Sequence, residues 1–129
     1  MSAPRTAWRS IACLLALTSG TTQAESALDG ATLFKLACQA CHALGPDTSR
    51  RIGPRLDGIA GRPTGTATDY PYSEALKRSG LVWNRSTLIA WIAGAERIVP
   101  GTLMVHHNHL EAPEVLRLAD YLTEPEREP

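Results

Sequence analysis

The residues with the clearest chemistry lie in the run Cys38-Gln39-Ala40-Cys41-His42. Two thiols at this spacing, at the end of a helix, project from one face, so each can form a thioether with one vinyl group of the same porphyrin. The imidazole of the next residue, His42, is then placed to bind the iron from one side. The run therefore predicts one covalently attached haem c, held by Cys38 and Cys41 and ligated by His42.

Two other interpretations of a C-x-x-C pair are less favoured here. A thioredoxin-like redox pair needs a βαβ pattern, and the sequence has no strand signal. A structural zinc site needs four protein ligands, and no second cysteine pair follows in the chain. Neither function gains from a histidine directly after the second cysteine.

The first 24 residues have the pattern of an export signal. Arg5 and Arg9 form a basic start, residues 11–17 a short apolar segment, and the chain then reaches small residues ending at Ala24. So few apolar residues cannot span a bilayer, which needs about 20. We expect cleavage after Ala24 and a periplasmic protein without stable membrane insertion. Cys13 lies inside this signal, in a context that does not favour lipid attachment.

The rest of the chain is predicted to form one small domain at residues 25–123, followed by a disordered polar tail at 124–129. Loss of Arg5 and Arg9 leaves 11 of the 13 basic residues against 13 acidic ones, and no basic stripe of the kind that binds nucleic acid. The domain has few large apolar side chains for its size, so a buried haem would complete its core.

The apolar pattern predicts an all-α fold with three main helices, one short helix and long loops around the haem. The helices are expected to begin at Ser26 or Asp29, at Ser73, at Asn84 or Ser86, and at a first turn containing Pro113. The third is expected to end at Gly94. Between the first two helices, a glycine- and proline-rich loop is too long for a compact domain unless a bound group orders it.

The second iron ligand is predicted to be Met104. It is the only methionine after the signal, and Pro100 and Gly101 force a turn that can direct its thioether inward. Sulfur opposite histidine raises the reduction potential of the iron. The alternatives are His106, His107 and His109, which would give a bis-histidine haem of lower potential, or an open iron site.

Together these features resemble the class I cytochromes c, the soluble electron carriers of mitochondria and bacteria. The resemblance extends from about Asp29 to Leu122. The matching segments are Gly30 with Phe34, the Cys38–His42 run, Gly53–Gly58, Gly61-Arg62, Tyr70–Ala75, Trp83, Pro100–Met104 and Tyr121-Leu122. This resemblance implies the cytochrome c fold and a role in electron transfer.

The resemblance also implies roles for residues around the haem. The Pro54 carbonyl would accept a hydrogen bond from His42 and fix its tautomer. The donors to a buried propionate would be Arg62, Tyr72 and Trp83, and Thr102 would lie near the other propionate.

Two departures from the family pattern concern the haem surroundings. Trp91 stands where the family usually has a tyrosine near the methionine ligand, and an indole can donate but not accept a hydrogen bond. The lysines that surround the haem edge in mitochondrial members are largely missing, since Lys35 and Lys77 are the only two in the chain. The partner of a mitochondrial member therefore cannot be assumed here.

We expect a monomeric one-electron carrier, not an enzyme, that docks transiently with redox proteins at the exposed haem edge. Two alternatives remain open. The chain could be a dedicated cytochrome subunit of a periplasmic dehydrogenase or oxidase. It could also be a haem peroxidase or gas sensor in which Met104 detaches and His106 or His107 acts as distal acid and base.

The export signal gives the first testable prediction. The periplasmic protein should begin at Glu25, because the small residues ending at Ala24 suit a signal peptidase. N-terminal sequencing of protein isolated from its host measures this directly. A chain that begins before Arg5, or one that carries lipid on Cys13, would contradict the prediction.

Overall fold

The computed structural model describes residues 27–107 and 109–124. Its helices, in chain order, are α1 (Gly30–Ala37), α2 (Glu74–Lys77), α3 (Arg85–Ile98) and α4 (Ala112–Thr123). Within these residues the β pairing is confined to a single antiparallel bridge between Pro63 and Val82. The predicted all-α fold of three main helices and one short helix is confirmed.

Some predictions concern residues outside these two ranges. The predicted signal peptide at 1–24, the start of the predicted domain, and residues 125–129 of the predicted tail lie outside the described residues. Among the helices that are described, none combines the length and the apolar character needed to cross a bilayer.

Each helix begins at a polar residue that satisfies free backbone groups of the first turn. Side-chain oxygens accept hydrogen bonds from backbone N–H groups three residues later in the pairs Asp29 with Thr32 (2.7 Å), Ser73 with Leu76 (3.2 Å) and Asn84 with Thr87 (2.9 Å). At α4 the backbone N–H of Glu111 donates to the Glu114 carboxylate at 2.8 Å. The first three caps are among those predicted from the sequence.

The third helix is interrupted at Gly94, where the sequence predicted its end, but a short helical segment that was not predicted follows. α3 passes Gly94, whose extended backbone (φ 168°, ψ 87°) makes a kink, and continues to Ile98. The last turn is held in place because Ala95 and Val99 are buried in the core. The Arg97 guanidinium lies beside Gly94 and donates to the Ala93 carbonyl at 2.6 Å. Gly94 therefore breaks the regular helix at the predicted position, and packing of the residues after it keeps the next turn helical.

The core forms where α1 and α3 pack against α4. Leu33 of α1 and Leu118 of α4 are fully buried at this junction. Nearby, the rings of Phe34 and Tyr121 lie with centroids 6.3 Å apart. The crossing of α1 and α4 thus fixes the end of α1, from which the Cys38–His42 run follows.

The long loop between α1 and α2 is irregular, as predicted, and polar contacts order part of it. The Arg55 guanidinium donates to the Gly45 carbonyl at 2.9 Å and pairs with Asp57 at 2.7 Å. Asp57 in turn accepts from the backbone N–H of Gly45 at 2.7 Å. Further along, the backbone of Arg62 and Trp83 is joined by a hydrogen bond of 3.0 Å. These contacts hold the loop against the rest of the fold.

Close packing at the helix crossing predicts the effect of a small substitution. A Cβ at Gly30 would lie 2.3 Å from Tyr121 Cβ and 2.9 Å from the Arg117 carbonyl oxygen. Gly30→Ala should therefore lower the free energy of unfolding by about 1–3 kcal/mol, the usual cost of overpacking. Denaturant unfolding of the haem-loaded protein measures this.

Lys35→Ala, at an exposed position of the same helix, is the matched control and should change stability by less than about 0.5 kcal/mol. If Gly30→Ala is as stable as the control, the two helices can separate without cost, and the crossing does not require glycine.

Candidate haem-binding site

The ten residues predicted to bind haem or iron surround one continuous space. It consists of two adjoining cavities with empty volumes of about 760 and 930 Å³, which include space open to solvent. The first is lined by Cys38, His42, Pro54, Arg62, Tyr72, Trp83, Trp91, Thr102 and Met104, and the second by Cys41 together with Cys38, His42, Pro54 and Met104. The fold thus brings the predicted residues together, although their individual roles stay predictions.

The apolar walls of the first cavity come from every part of the fold. They include Leu56 and Ile59 of the long loop, Leu76 of α2, Leu88 and Ile92 of α3, and Leu122 of α4. A flat apolar group in this space would take the place of a core that the side chains alone do not fill. These residues could not be assigned to the site from the sequence, because apolar residues that face a ligand and those that face a core have the same spacing along the chain.

The cysteines lie in a turn that continues from α1. The Cys38 backbone N–H donates to the Phe34 carbonyl at 2.8 Å, and the Cys38 carbonyl accepts from His42 N at 2.9 Å. Both thiols are free and partly buried. Burial raises the pKa of the Cys38 thiol to about 11, and the nearby Cys41 adds to this effect. The thiols are therefore unpaired and close to the cavity, as attachment to a haem requires.

His42 is held in the form that a metal ligand needs. Its Nδ1 lies 2.7 Å from the Pro54 carbonyl oxygen, which can only accept, so Nδ1 carries the proton and Nε2 keeps its lone pair. Burial lowers the pKa of His42, the Pro54 contact raises it, and the charge of His106 lowers it. The pKa is lowered on balance, so the imidazole is neutral at pH 7.

Gly53 is a site residue that the predictions did not single out. A Cβ at this position would lie 2.6 Å from His42 Cε1 and 2.9 Å from the Cys41 carbonyl oxygen. The backbone N–H of Gly53 also donates to that oxygen at 2.8 Å. The signal in the sequence was the glycine directly before Pro54. The backbone at this position approaches the His42 ring so closely that there is no room for a side chain.

Met104 is held by a hydrogen bond from Trp91, the residue that stands where the family usually has a tyrosine. The buried Trp91 indole Nε1 donates to the Met104 Sδ at 2.9 Å. The Trp91 ring in turn packs edge-on against Trp83, with centroids 5.1 Å apart. Trp91 was expected near the sulfur as a residue that can donate but not accept a hydrogen bond. The distance from Nε1 to Sδ shows that its N–H group reaches the sulfur.

The three late histidines differ in their position. His106 lines the second cavity beside Met104, whereas His107 and His109 are exposed and line neither cavity. In the described part of the chain, no three His, Cys, Asp or Glu side chains gather as a metal-binding set. Among the alternatives to Met104, only His106 therefore lies near the site.

The polar side of the first cavity holds the residues expected near the propionates. The Arg62 guanidinium donates to the Asp57 and Arg55 carbonyls at 3.2 and 3.4 Å, which fixes its position. Burial raises the pKa of Tyr72, and the Tyr72 ring packs edge-on against Tyr70 at 4.9 Å. Tyr70 lines both cavities and was not predicted as a site residue.

These observations fit haem c. The free thiols, the neutral imidazole, the thioether and the donors at the polar side border one apolar space, and each group suits a different part of the cofactor. His42 and Met104 each line both cavities.

With Met104 as the predicted iron ligand, the Trp91 contact predicts a change in the reduction potential. An N–H donor withdraws electron density from sulfur, which weakens its bond to ferric iron and favours the ferrous state. Trp91→Phe removes the donor, so the potential of the haem-loaded protein should fall by about 40 mV, equivalent to a hydrogen bond of about 1 kcal/mol for one electron. Voltammetry measures the potential, and the sulfur-to-iron absorption band should shift with it.

Trp83→Phe, in the other ring of the same pair, is the matched control. Any effect on the potential would come through the propionate that Trp83 is predicted to bind, and the sulfur-to-iron band should stay in place because the hydrogen bond to the sulfur comes from Trp91. Equal effects of the two substitutions on that band would mean that the indole of Trp91 acts only through packing.

Comparisons with known proteins agree with the site. The profile of the family "Cytochrome c" matches residues 27–124. Cytochrome c of Gibberella zeae is 38% identical over 72% of this chain and 88% of its own length, and cytochrome c2 of Blastochloris viridis is 32% identical over 84% and 85%. The solved structure of cytochrome cH from Methylobacterium extorquens superposes with a TM-score of 0.64, at 36% identity, over 72% of this chain and 92% of that one.

Members of this family are electron carriers that bind haem c covalently, and Cys38 and Cys41 fit the attachment motif. The match covers all of the described residues, including every residue that lines the two cavities. From its sequence, its fold and its site, the chain belongs to the cytochrome c family.

Proposed function

We propose that this protein is a monomeric, periplasmic one-electron carrier and not an enzyme, with a haem c ligated by His42 and Met104. One observation carries the proposal. Both side chains face the same apolar space, and each is fixed by a hydrogen bond to a neighbour, His42 to the Pro54 carbonyl and Met104 to the Trp91 indole.

Haem c supplies one iron that gains and loses a single electron. Cys38 and Cys41 hold the group through thioethers, which keep it attached in both oxidation states. The neutral His42 provides Nε2 as one ligand, because its Nδ1 proton is held by Pro54. The soft sulfur of Met104 provides the other and favours the reduced state.

The fixed positions of the two ligands suit fast electron transfer. His42 and Met104 cannot move far without losing the 2.7 Å and 2.9 Å contacts to Pro54 and Trp91. A site held in this way changes little when its charge changes by one. Arg62, Tyr72, Trp83 and Thr102 border the same space and are proposed as donors to the propionates, which need such partners away from water.

The proposed location rests on the predicted export signal and on the bacterial relatives. One of them, cytochrome c-550 of Bradyrhizobium diazoefficiens, is 44% identical over 58% of this chain and 54% of its own length. In the periplasm the protein would exchange electrons with other redox proteins through brief docking. Size exclusion of the native protein separates this from the dedicated-subunit alternative, in which it would elute with a larger enzyme.

Replacing the proposed sulfur ligand tests the function. Met104→Ala should lower the reduction potential by more than about 100 mV and allow rapid binding of carbon monoxide to the reduced protein, because one iron position opens. The wild-type protein should bind it slowly. Absorption spectroscopy and voltammetry of the haem-loaded protein measure both effects.

His107→Ala is the control, since that histidine is exposed and lines neither cavity. It should leave the spectrum and the potential unchanged. An unchanged potential in Met104→Ala would remove Met104 from the iron, and rapid binding of carbon monoxide by the wild type would favour the peroxidase or sensor alternative.

A further inference from the structure

Pro54, whose carbonyl holds His42, borders three cavities. It lines both cavities of the candidate haem site. It also lines a third cavity, with an empty volume of about 570 Å³ that includes space open to solvent. Its neighbours Gly53 and Arg55 line this third cavity as well. The carbonyl that binds His42 therefore belongs to a segment that borders cavities, and close packing of side chains does not by itself fix the position of this segment.

The backbone holds this segment at its two ends. The N–H groups of Gly53 and Leu56 donate to carbonyl groups in and just after the Cys38–His42 run, at 2.8 and 3.1 Å. Between these two hydrogen bonds, Pro54 has no N–H group to donate. The side chain of the next residue, Arg55, supplies contacts at the point where the backbone does not.

The Arg55 guanidinium binds a turn of the same loop. It donates to the Gly45 carbonyl at 2.9 Å and to the Asp47 carbonyl, and its ion pair with Asp57 spans 2.7 Å. Asp57 also accepts from the N–H of Gly45, so the contacts form a closed ring between this turn and the residues that follow Pro54. The planar set of donors in arginine suits several acceptors at once.

The contacts of Arg55 with the backbone distinguish it from the other charges nearby. Its ion pair with Asp57 is partly exposed, with side-chain exposures of 35% and 26%, and such pairs contribute little on their own. Arg50 lines the same third cavity, and the described part of the chain gives it no hydrogen bond or ion pair. A role for Arg55 in the site would therefore come from its geometry and not from its charge alone.

We propose that Arg55 is a positioning residue for the iron ligand, because it holds the Pro54 carbonyl against the His42 ring and so sets the strength of the hydrogen bond between them. This inference rests on the proposed function, in which His42 binds the iron. A strong hydrogen bond from Nδ1 makes the imidazole a better electron donor, which stabilises ferric iron. If the Pro54 carbonyl moved away from the ring, the reduction potential would rise.

Exchange of the His42 Nδ1 proton with solvent tests the contact directly. Arg55→Lys should speed this exchange about tenfold, because lysine keeps the charge but cannot hold the same acceptors in one plane, so the hydrogen bond opens more often. The reduction potential should rise in the same variant. Nuclear magnetic resonance of the reduced, haem-loaded protein in deuterated solvent measures the exchange, and voltammetry measures the potential.

Arg50→Gln is the matched control for charge. It removes a positive charge from the same cavity without removing a described contact, so the exchange should stay at the wild-type rate. Its potential should fall slightly, since a nearby positive charge favours the ferrous state. Arg55→Gln loses both the charge and the contacts. It should exchange at least as fast as Arg55→Lys, and its potential should lie above that of Arg50→Gln.

Asp57→Asn provides a second test if the Arg55 variants do not fold. It keeps an acceptor for the N–H of Gly45 and loses the ion pair with Arg55. It should also speed the exchange, by a smaller factor than Arg55→Lys.

Wild-type exchange in the Arg55 variants, or in Asp57→Asn where those do not fold, would overturn the proposal, because Pro54 would then hold His42 without help. Equal acceleration in Arg50→Gln would also overturn it, since charge alone would then act. The proposed function is tested separately in the wild-type protein. The haem displaces the His42 ring signals strongly if the ring binds the iron, and signals at their ordinary positions would contradict the proposed function while leaving the contacts of Arg55 in place.

Discussion

The site depends first on one hydrogen bond, between His42 Nδ1 and the Pro54 carbonyl. This contact decides which imidazole nitrogen is free, and therefore whether the residue after the cysteines can bind a metal at all. It joins two parts of an irregular segment, so no helix or strand enforces it. The close fit of Gly53 against the ring, and the hydrogen bond from Gly53 to Cys41, keep Pro54 at the correct distance.

The helices do not make this contact, but they determine where the segments that make it lie. α1 ends at the first cysteine, and its crossing with α4 at Gly30 sets where that end lies. α3 carries Trp91 to the opposite part of the space, and the kink at Gly94 allows the chain to continue into the segment that bears Met104. The two proposed iron ligands thus lie in irregular segments, and the helices determine how far apart those segments are held.

Much of this arrangement could be predicted from the sequence. The Cys38–His42 run and Met104, the only methionine after the predicted signal, can each be recognised from a few adjacent residues. The caps at Asp29, Ser73 and Asn84 follow from local hydrogen bonding. The break at Gly94 was predicted, but the helical segment after it could not be, because the local pattern does not show that Ala95 is buried in the core. The roles of Gly53 and Tyr70 depend on contacts between segments, which periodicity does not reveal.

The contact between Trp91 and Met104 has a consequence for behaviour in alkaline solution. A phenol at this position would lose its proton near pH 10 and with it the ability to donate to sulfur. An indole keeps its N–H under all conditions in which the protein is folded. The sulfur of Met104 therefore has a donor that no base can remove.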